Sequence, residues 1–221
     1  MLKGKKVDGV MSYLAEIKTL LAMQSQAKSV KEFTELEHLL SALKIRSVYQ
    51  LKVVSEMLAG SKASQSAKTN ELFALEIERA VKFHLEYMVI KMAMDHYAAK
   101  EFRCSTIKPT LDLLVKVFCV QALRKNSDAL YESGFFRQGS AKLLHDSFAA
   151  LLVELRPHMI PLVETFSVYE GSLQSAIGNE YGDIYELQLE LAKNSRLNKN
   201  KVPRFYHTLM KPVMTMREPK L

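Results

Sequence analysis

Apolar residues recur along this chain at spacings of three and four, the period of helices that bury one face. Ser29-Val30-Lys31-Glu32 has the spacing of a capping box. The stretch after it places Phe33, Leu36, Leu40, Leu43, Leu51, Val54 and Leu58 near one face, predicting a helix that fades at Gly60. Ala74, Ile77, Val81, Leu85, Met88 and Met92 form the apolar stripe of a second, longer helix, expected from about Asn70 to Arg103 and packed along that stripe. Pro109 ends any continuation, and Thr110 then caps a core helix from Leu111 to Lys125. Gly134 and Gly139 bracket an aromatic linker, Phe135-Phe136-Arg137-Gln138. Beyond it Ala141, Leu144, Phe148, Leu151, Leu152 and Leu155 make a further stripe.

Toward the C-terminus the elements shorten. Pro157 suits the first turn of a helix over about His158 to Phe166. A turn near Leu173 to Ile177 stops at Gly178, Asp183 opens a helix through Ala192, and Pro203 starts a brief segment ending before Pro212, with extended chain beyond it. No strand alternation and no fixed-period repeat occurs. The pattern predicts an all-α helical bundle in three parts: a linker or helix over residues 1–28, a helical domain over 29–193, and a basic tail over 194–221.

Composition supports that class. At 221 residues, 48% of them apolar, the chain can build a core without metals or disulfides, and eight Gly and six Pro are too few for a turn-rich β fold. Cys104 and Cys119, far apart and without CxxC spacing, read as buried thiols in a reducing compartment. No apolar run reaches the roughly 18 residues of a membrane span, and the basic start MLKGKKVDG is followed by no signal-type apolar region, so the protein is expected to stay inside the cell.

Charge is unevenly placed. From Lys193 onward eight cations face Glu218 alone, and this accounts for the whole net charge of +7; the first 192 residues sum to zero. Such a tail suits a polyanion, an anionic membrane, a phosphate-bearing ligand or a partner subunit. The bland reading is a solvated tail, and no nucleic-acid partner is expected. The last three residues, Pro219, Lys220 and Leu221, form a degenerate version of the Ser-Lys-Leu address read by the peroxisomal import receptor. They are the targeting residues this sequence nominates, and they place the protein in the peroxisome.

Candidate chemistry is sparse. The glycines match neither nucleotide-binding loop, and no GxSxG elbow occurs. Glu35-Leu36-Glu37-His38 contains one ExxH, but a di-iron bundle needs a second copy and two further glutamates. His84 and His145 lie beside apolar stripes, where a lone histidine is a satisfied core or interface residue. Asp95 and His96 point to different faces, and Met88, Met92 and Met94 read as adaptable packing. No catalytic, cofactor-binding or metal-binding residue is nominated.

Several ordered patches carry a family resemblance. Gly9-Val10-Met11-Ser12-Tyr13-Leu14, His84-Leu85-Glu86-Tyr87 with Val89 and Lys91, and Leu155-Arg156-Pro157 through Leu162-Val163-Glu164-Thr165-Phe166 are three of them. The longest is Gly182-Asp183-Ile184-Tyr185-Glu186, followed by Ala192-Lys193-Asn194-Ser195 and Leu197-Asn198-Lys199, with Arg196 where Pro is usual. In order and spacing they resemble the C-terminal helical domain of peroxisomal acyl-CoA oxidases. The resemblance implies a homodimeric FAD enzyme of fatty-acid β-oxidation that converts acyl-CoA to trans-2-enoyl-CoA and passes electrons to oxygen. It also implies that this domain covers the active site and contacts the oxidase N-terminal body or a second subunit. The family's base lies in a Phe-Glu-Gly-Glu-Asn type motif that does not occur here. The expectation is therefore a fragment, inactive alone, that binds no FAD by itself. The alternative is a stand-alone helical interaction module with a basic tail.

Overall fold

The breaks between helices fall where local chemistry puts them. The structure, a computed structural model, describes residues 9–173, 175–179 and 182–215, and every regular element among them is helical. A 3-10 segment, Gly9–Glu16, runs into α1 (Ile17–Ala22), and Met23 turns the chain out into extended backbone. Ser29 caps α2 (Val30–Phe33) by accepting from the Glu32 amide at 3.3 Å, while the Glu32 carboxylate reaches past it to the Lys28 amide at 2.7 Å. Glu35 then turns extended, so the expected single helix becomes α2 and α3 (Leu36–Gly60).

Short α4 (Gln65–Ala67) and a π turn, Lys68–Leu72, lead to α5 (Ala74–Ala98), which is shorter at both ends than its periodicity suggests. The next helix, α6 (Ile107–Lys125), starts before Pro109 instead of after it. In a first turn the missing proline N–H costs no helical hydrogen bond, so Pro109 is part of the helix start. After α7 (Asp128–Glu132), Gly139 takes φ +94°, a left-handed conformation costly for other residues, and so turns the chain into α8 (Ser140–Leu155). The intervening Phe135 and Phe136 are buried. A 3-10 turn, Arg156–His158, then leads to α9 (Met159–Glu164). Beyond lie α10 (Glu170–Leu173), a 3-10 turn at Ala176–Gly178, α11 (Ile184–Asn194), a 3-10 turn at Arg196–Lys199 and a π turn at Tyr206–Met210. The last is α12 (Lys211–Thr215), which carries Pro212 in its first turn where extended chain was expected.

The chain divides into two units, Met1–Met159 and Ile160–Leu221. In the first, α3 is the hub: it packs on α1, α5, α6 and α7, and α6 packs in turn on α8. Leu39, Leu43, Ile45, Phe83, Val120, Leu123 and Leu130 are fully enclosed there. At roughly 1.5–3 kcal/mol for each large apolar side chain removed from water, these positions are the main source of its stability.

The helices α3 and α5 run antiparallel, and polar side chains key their register. Arg46 of α3 meets Glu86 of α5, and four residues on Gln50 donates to Glu76 at 2.6 Å. Cys119 is buried as expected, but Cys104 is exposed, and both are free thiols.

Candidate functional site

The long helix α5 is where packing departs most from the sequence pattern. Its buried positions are Ala80, Phe83, Tyr87, Ile90 and Tyr97. Of the stripe expected to be packed, Ala74, Ile77 and Met88 are half-buried, but Val81, Leu85 and Met92 are more than half exposed, as are neighbouring Leu75 and Val89. Two apolar faces share this helix, and α3 with the N-terminal segment takes the aromatic one.

Val81, Leu85 and Val89, at successive i,i+4 positions, form one wall of a shallow groove of about 400 Å3. Phe118 of α6 closes the other side, and Glu78, Lys82 and Glu86 complete the lining. This is an exposed apolar surface with a charged margin.

Behind the groove lies a polar cluster. Arg46 is wholly buried, donates to the Ala122 carbonyl at 2.7 Å and to Glu86, and stacks its guanidinium 4.3 Å from the Phe83 ring centre. Burial pulls its pKa down, and Glu86 opposes that pull. Arg79 covers the same ring at 5.2 Å and pairs with Asp128. The Nε atoms of both arginines are buried without a hydrogen-bond partner. Because Arg46 engages Glu86, that carboxylate is not a free base at the groove.

A second network anchors the N-terminal segment. The Tyr13 hydroxyl lies 3.0 Å from Ser47 Oγ and 2.7 Å from His84 Nδ1, so one residue ties the segment to α3 and α5 together. Tyr13 stacks on His84 with ring centres 5.8 Å apart, and Tyr87 meets it edge-on at 5.0 Å. Burial raises the tyrosine's pKa and lowers that of His84. Tyr13 and His84 stand in two separate family-like patches of the sequence, and His84 reads there as a satisfied core or interface histidine, as it is. That the two meet, and that Ser47 joins them, is not legible there, since 34 and 71 residues separate Tyr13 from its partners.

The other nominated residues resolve into structural roles. His38 of the ExxH has Nδ1 3.0 Å from the Phe33 carbonyl and Nε2 2.8 Å from Ser25 Oγ, so both ring nitrogens are occupied. Nδ1 must donate to the carbonyl, and Nε2 then accepts from the serine. Among the described residues no group of three or more His, Cys, Asp or Glu could hold a metal ion. His145 is exposed on α8, and Asp95 pairs with Lys91 on its own helix. Cys104 is drawn down in pKa by its contact with Thr106, and Cys119 is pushed up to about 12 by burial. No described helix is long and apolar enough to cross a membrane. Pro219, Lys220 and Leu221 lie outside the described residues.

The groove does not fit a flavin dinucleotide. A pyrophosphate wants helix N-terminal amides, a glycine-rich turn or several cations. This groove sits against the middle of α5 and presents two carboxylates to one lysine.

The described residues form an all-α bundle with an exposed apolar face, and among them no catalytic set is assembled. The sequence profile described as acyl-CoA oxidase matches residues 35–215, and the chain belongs to that family. It is 24% identical to peroxisomal acyl-coenzyme A oxidase 1 of Cavia porcellus over 217 residues, covering 96% of this chain and 32% of the relative. The Rattus norvegicus protein of that name matches at the same identity and coverage. Among solved structures, acyl-CoA oxidase 1 of Arabidopsis thaliana superimposes with a TM-score of 0.86 at 22% identity, over 98% of this chain and 32% of the plant chain. Acyl-CoA oxidase-2 of Caenorhabditis elegans, bound with FAD, ascaroside-CoA and ATP, matches with a TM-score of 0.79 at 24% identity, over 97% and 31%. The chain thus spans about a third of the length of these relatives. These likenesses lend no support to the stand-alone interaction module.

Proposed function

We propose that this chain is the C-terminal helical domain of an acyl-CoA oxidase of peroxisomal fatty-acid β-oxidation, and that its work is assembly. The observation that carries the reading is the family match over residues 35–215 combined with coverage of only a third of each relative. FAD, which the residues of the α5 groove do not fit, would supply to the parent enzyme the electron acceptance that converts acyl-CoA to trans-2-enoyl-CoA, with oxygen as the final acceptor giving hydrogen peroxide. The groove of Val81, Leu85, Val89 and Phe118 then packs against the oxidase N-terminal body. An exposed apolar stripe on an otherwise well-packed helix is the mark of a surface that is covered in the assembled protein. Arg46, Glu86 and Tyr13 hold that stripe in place by fixing the register and the tilt of α5.

Two measurements test this. The coding sequence immediately upstream of Met1 is expected to continue in frame through a Phe-Glu-Gly-Glu-Asn-like motif. The purified 221-residue chain, given FAD and an acyl-CoA, is expected to produce no hydrogen peroxide. An upstream stop codon would remove the parent enzyme, and peroxide production by the chain alone would defeat the assembly role. Separately, deleting Lys220 and Leu221 should abolish peroxisomal import of a tagged chain; unchanged import would sink that address.

A further inference from the structure

The last described helical run, the π turn Tyr206–Met210 continued by α12, is amphipathic and leaves its apolar side in water. Phe205, Leu209 and Val213 follow one another at i,i+4, and Tyr206, Met210 and Met214 run beside them. Phe205, Leu209, Val213 and Met214 are each more than half exposed. Arg204, Thr208, Lys211 and Thr215 lie on the other side. The two hydroxyls there are satisfied within the run, Thr208 donating to the Phe205 carbonyl at 3.3 Å and Thr215 to the Lys211 carbonyl at 3.0 Å. The polar side therefore asks for no partner, whereas the apolar side gains nothing until something covers it.

Charge says what covers it. Residues 193–215 contain six Lys or Arg and no carboxylate. Lys193, Arg196, Lys199, Lys201 and Arg204 lead into the run and Lys211 sits within it; all six are exposed. Among the described residues none of them takes part in an ion pair. A nucleic acid or an acidic protein would meet these cations and leave Leu209, Met210, Val213 and Met214 in water. A neutral apolar groove would cover the face and leave the cations unpaired. The surface complementary to both is anionic above and apolar beneath, which is the make-up of a bilayer with anionic headgroups. The six carboxylates of residues 160–192 are repelled by the same surface, and so set which way this unit lies on it.

We propose that residues 193–215 form an interfacial anchor for an anionic lipid surface, with Phe205, Leu209 and Val213 entering the acyl boundary while the cations hold the headgroups. The run lies in the plane of the interface, since its ten residues are far too few to span a bilayer. This goes beyond the assembly role and uses a different surface, because the α5 groove belongs to the other unit. For a parent enzyme of acyl-CoA, whose tail partitions into the same boundary, the anchor would hold the protein where its substrate collects.

The test is flotation of the full 221-residue chain with vesicles of phosphatidylcholine alone or of phosphatidylcholine mixed with phosphatidylserine. The chain is expected to float with the mixed vesicles and to stay behind with the neutral ones. Each cation near an anionic leaflet is worth about fivefold in partition, so Arg196→Gln, Lys199→Gln and Lys201→Gln together should weaken binding about a hundredfold. A second variant, with Phe205→Ser, Leu209→Ser and Val213→Ser, keeps every charge. It is expected to lose the vesicles and still to bind heparin, a polyanion with no apolar layer. No flotation at all, equal flotation with neutral vesicles, or a serine variant that floats as well as the unsubstituted chain would overturn the proposal; the last would reduce the contact to attraction for any polyanion. Circular dichroism shows whether each variant is folded. Should either fail to fold, Phe205→Trp decides, because the chain has no Trp of its own. Brominated acyl chains in the mixed vesicles must quench that indole, and an unquenched indole refutes insertion. None of these assays uses an acyl-CoA or the upstream coding sequence, so failure of the anchor and failure of the family role are separately visible.

Discussion

Arg46 shows how a single buried charge constrains this molecule. It is fully enclosed, its partner Glu86 is only 18% exposed at the side chain, and it also satisfies a backbone carbonyl of α6. Such a pair adds little net stability over a well-packed apolar substitute, but breaking it strands a charge. Arg46→Ala is therefore expected to destabilise the chain by about 3–5 kcal/mol. Arg46→Met combined with Glu86→Leu should recover most of that loss. Urea denaturation of both variants checks this; a double variant as unstable as the single one would show that the guanidinium is needed for packing against Phe83. His38 supplies a pH dependence. Burial holds its pKa below the usual value near 6.5, although the Phe33 carbonyl pulls the other way. Below pH 6.5 the unfolded chain takes up a proton that the folded one resists, so stability is full above that pH and falls as pH drops toward the folded value. His84 is shifted in the same direction by burial and adds to the effect. Urea midpoints should therefore decline from pH 7.5 to 5, and His38→Gln should flatten the decline; an unchanged slope would refute the assignment.

At the scale of the element, α5 separates what was legible in the sequence from what was not. Its existence followed from apolar spacing, as did that of α3 and α8, while Pro109 with Thr110 and Asp183 marked α6 and α11; spacing and helix starts are local information. Its buried face did not follow. Val81, Leu85 and Met92 satisfy the helical period, and so do Phe83, Tyr87 and Ile90; the choice between them is made by Tyr13 and Arg46, remote in sequence. For the same reason the meeting of Tyr13, Ser47 and His84 and the groove beside Phe118 were invisible before the chain was folded, although Tyr13 and His84 each stand out in the sequence. The two faces should respond very differently to substitution. Phe83→Ala, in the core under two guanidinium groups, is expected to cost about 3–5 kcal/mol. Leu85→Lys, two residues away and half exposed, should alter stability by no more than about 0.5 kcal/mol. It should also reduce the fluorescence of a hydrophobic dye bound to the chain. Equal losses of stability at both sites would mean that the outward stripe is part of the folded core.

For the molecule as a whole, order in the two units has different sources. In Met1–Met159, α3 is enclosed by α5, α6 and α7, and opening it exposes the core. In Ile160–Leu221 a single described side chain is buried, so local opening there exposes little that is not already exposed. The free energy of opening rises with the apolar surface that opening uncovers, and proteolysis follows the population of the open form. Trypsin should therefore cut first after Lys193, in the last turn of α11, or after Arg196, Lys199, Lys201 or Arg204 on the short and irregular segments beyond it, and leave the region from α3 to α8 protected. Association adds a concentration dependence. If a second copy or an oxidase body covers this unit, the early cuts slow as protein concentration rises or as the body is supplied, by mass action. Mass spectrometry of the first fragments, at two protein concentrations, reads both effects. A first cut inside α3 or α8 would place the weak point in the core and contradict the division of labour between a self-sufficient bundle and a unit ordered by its partners.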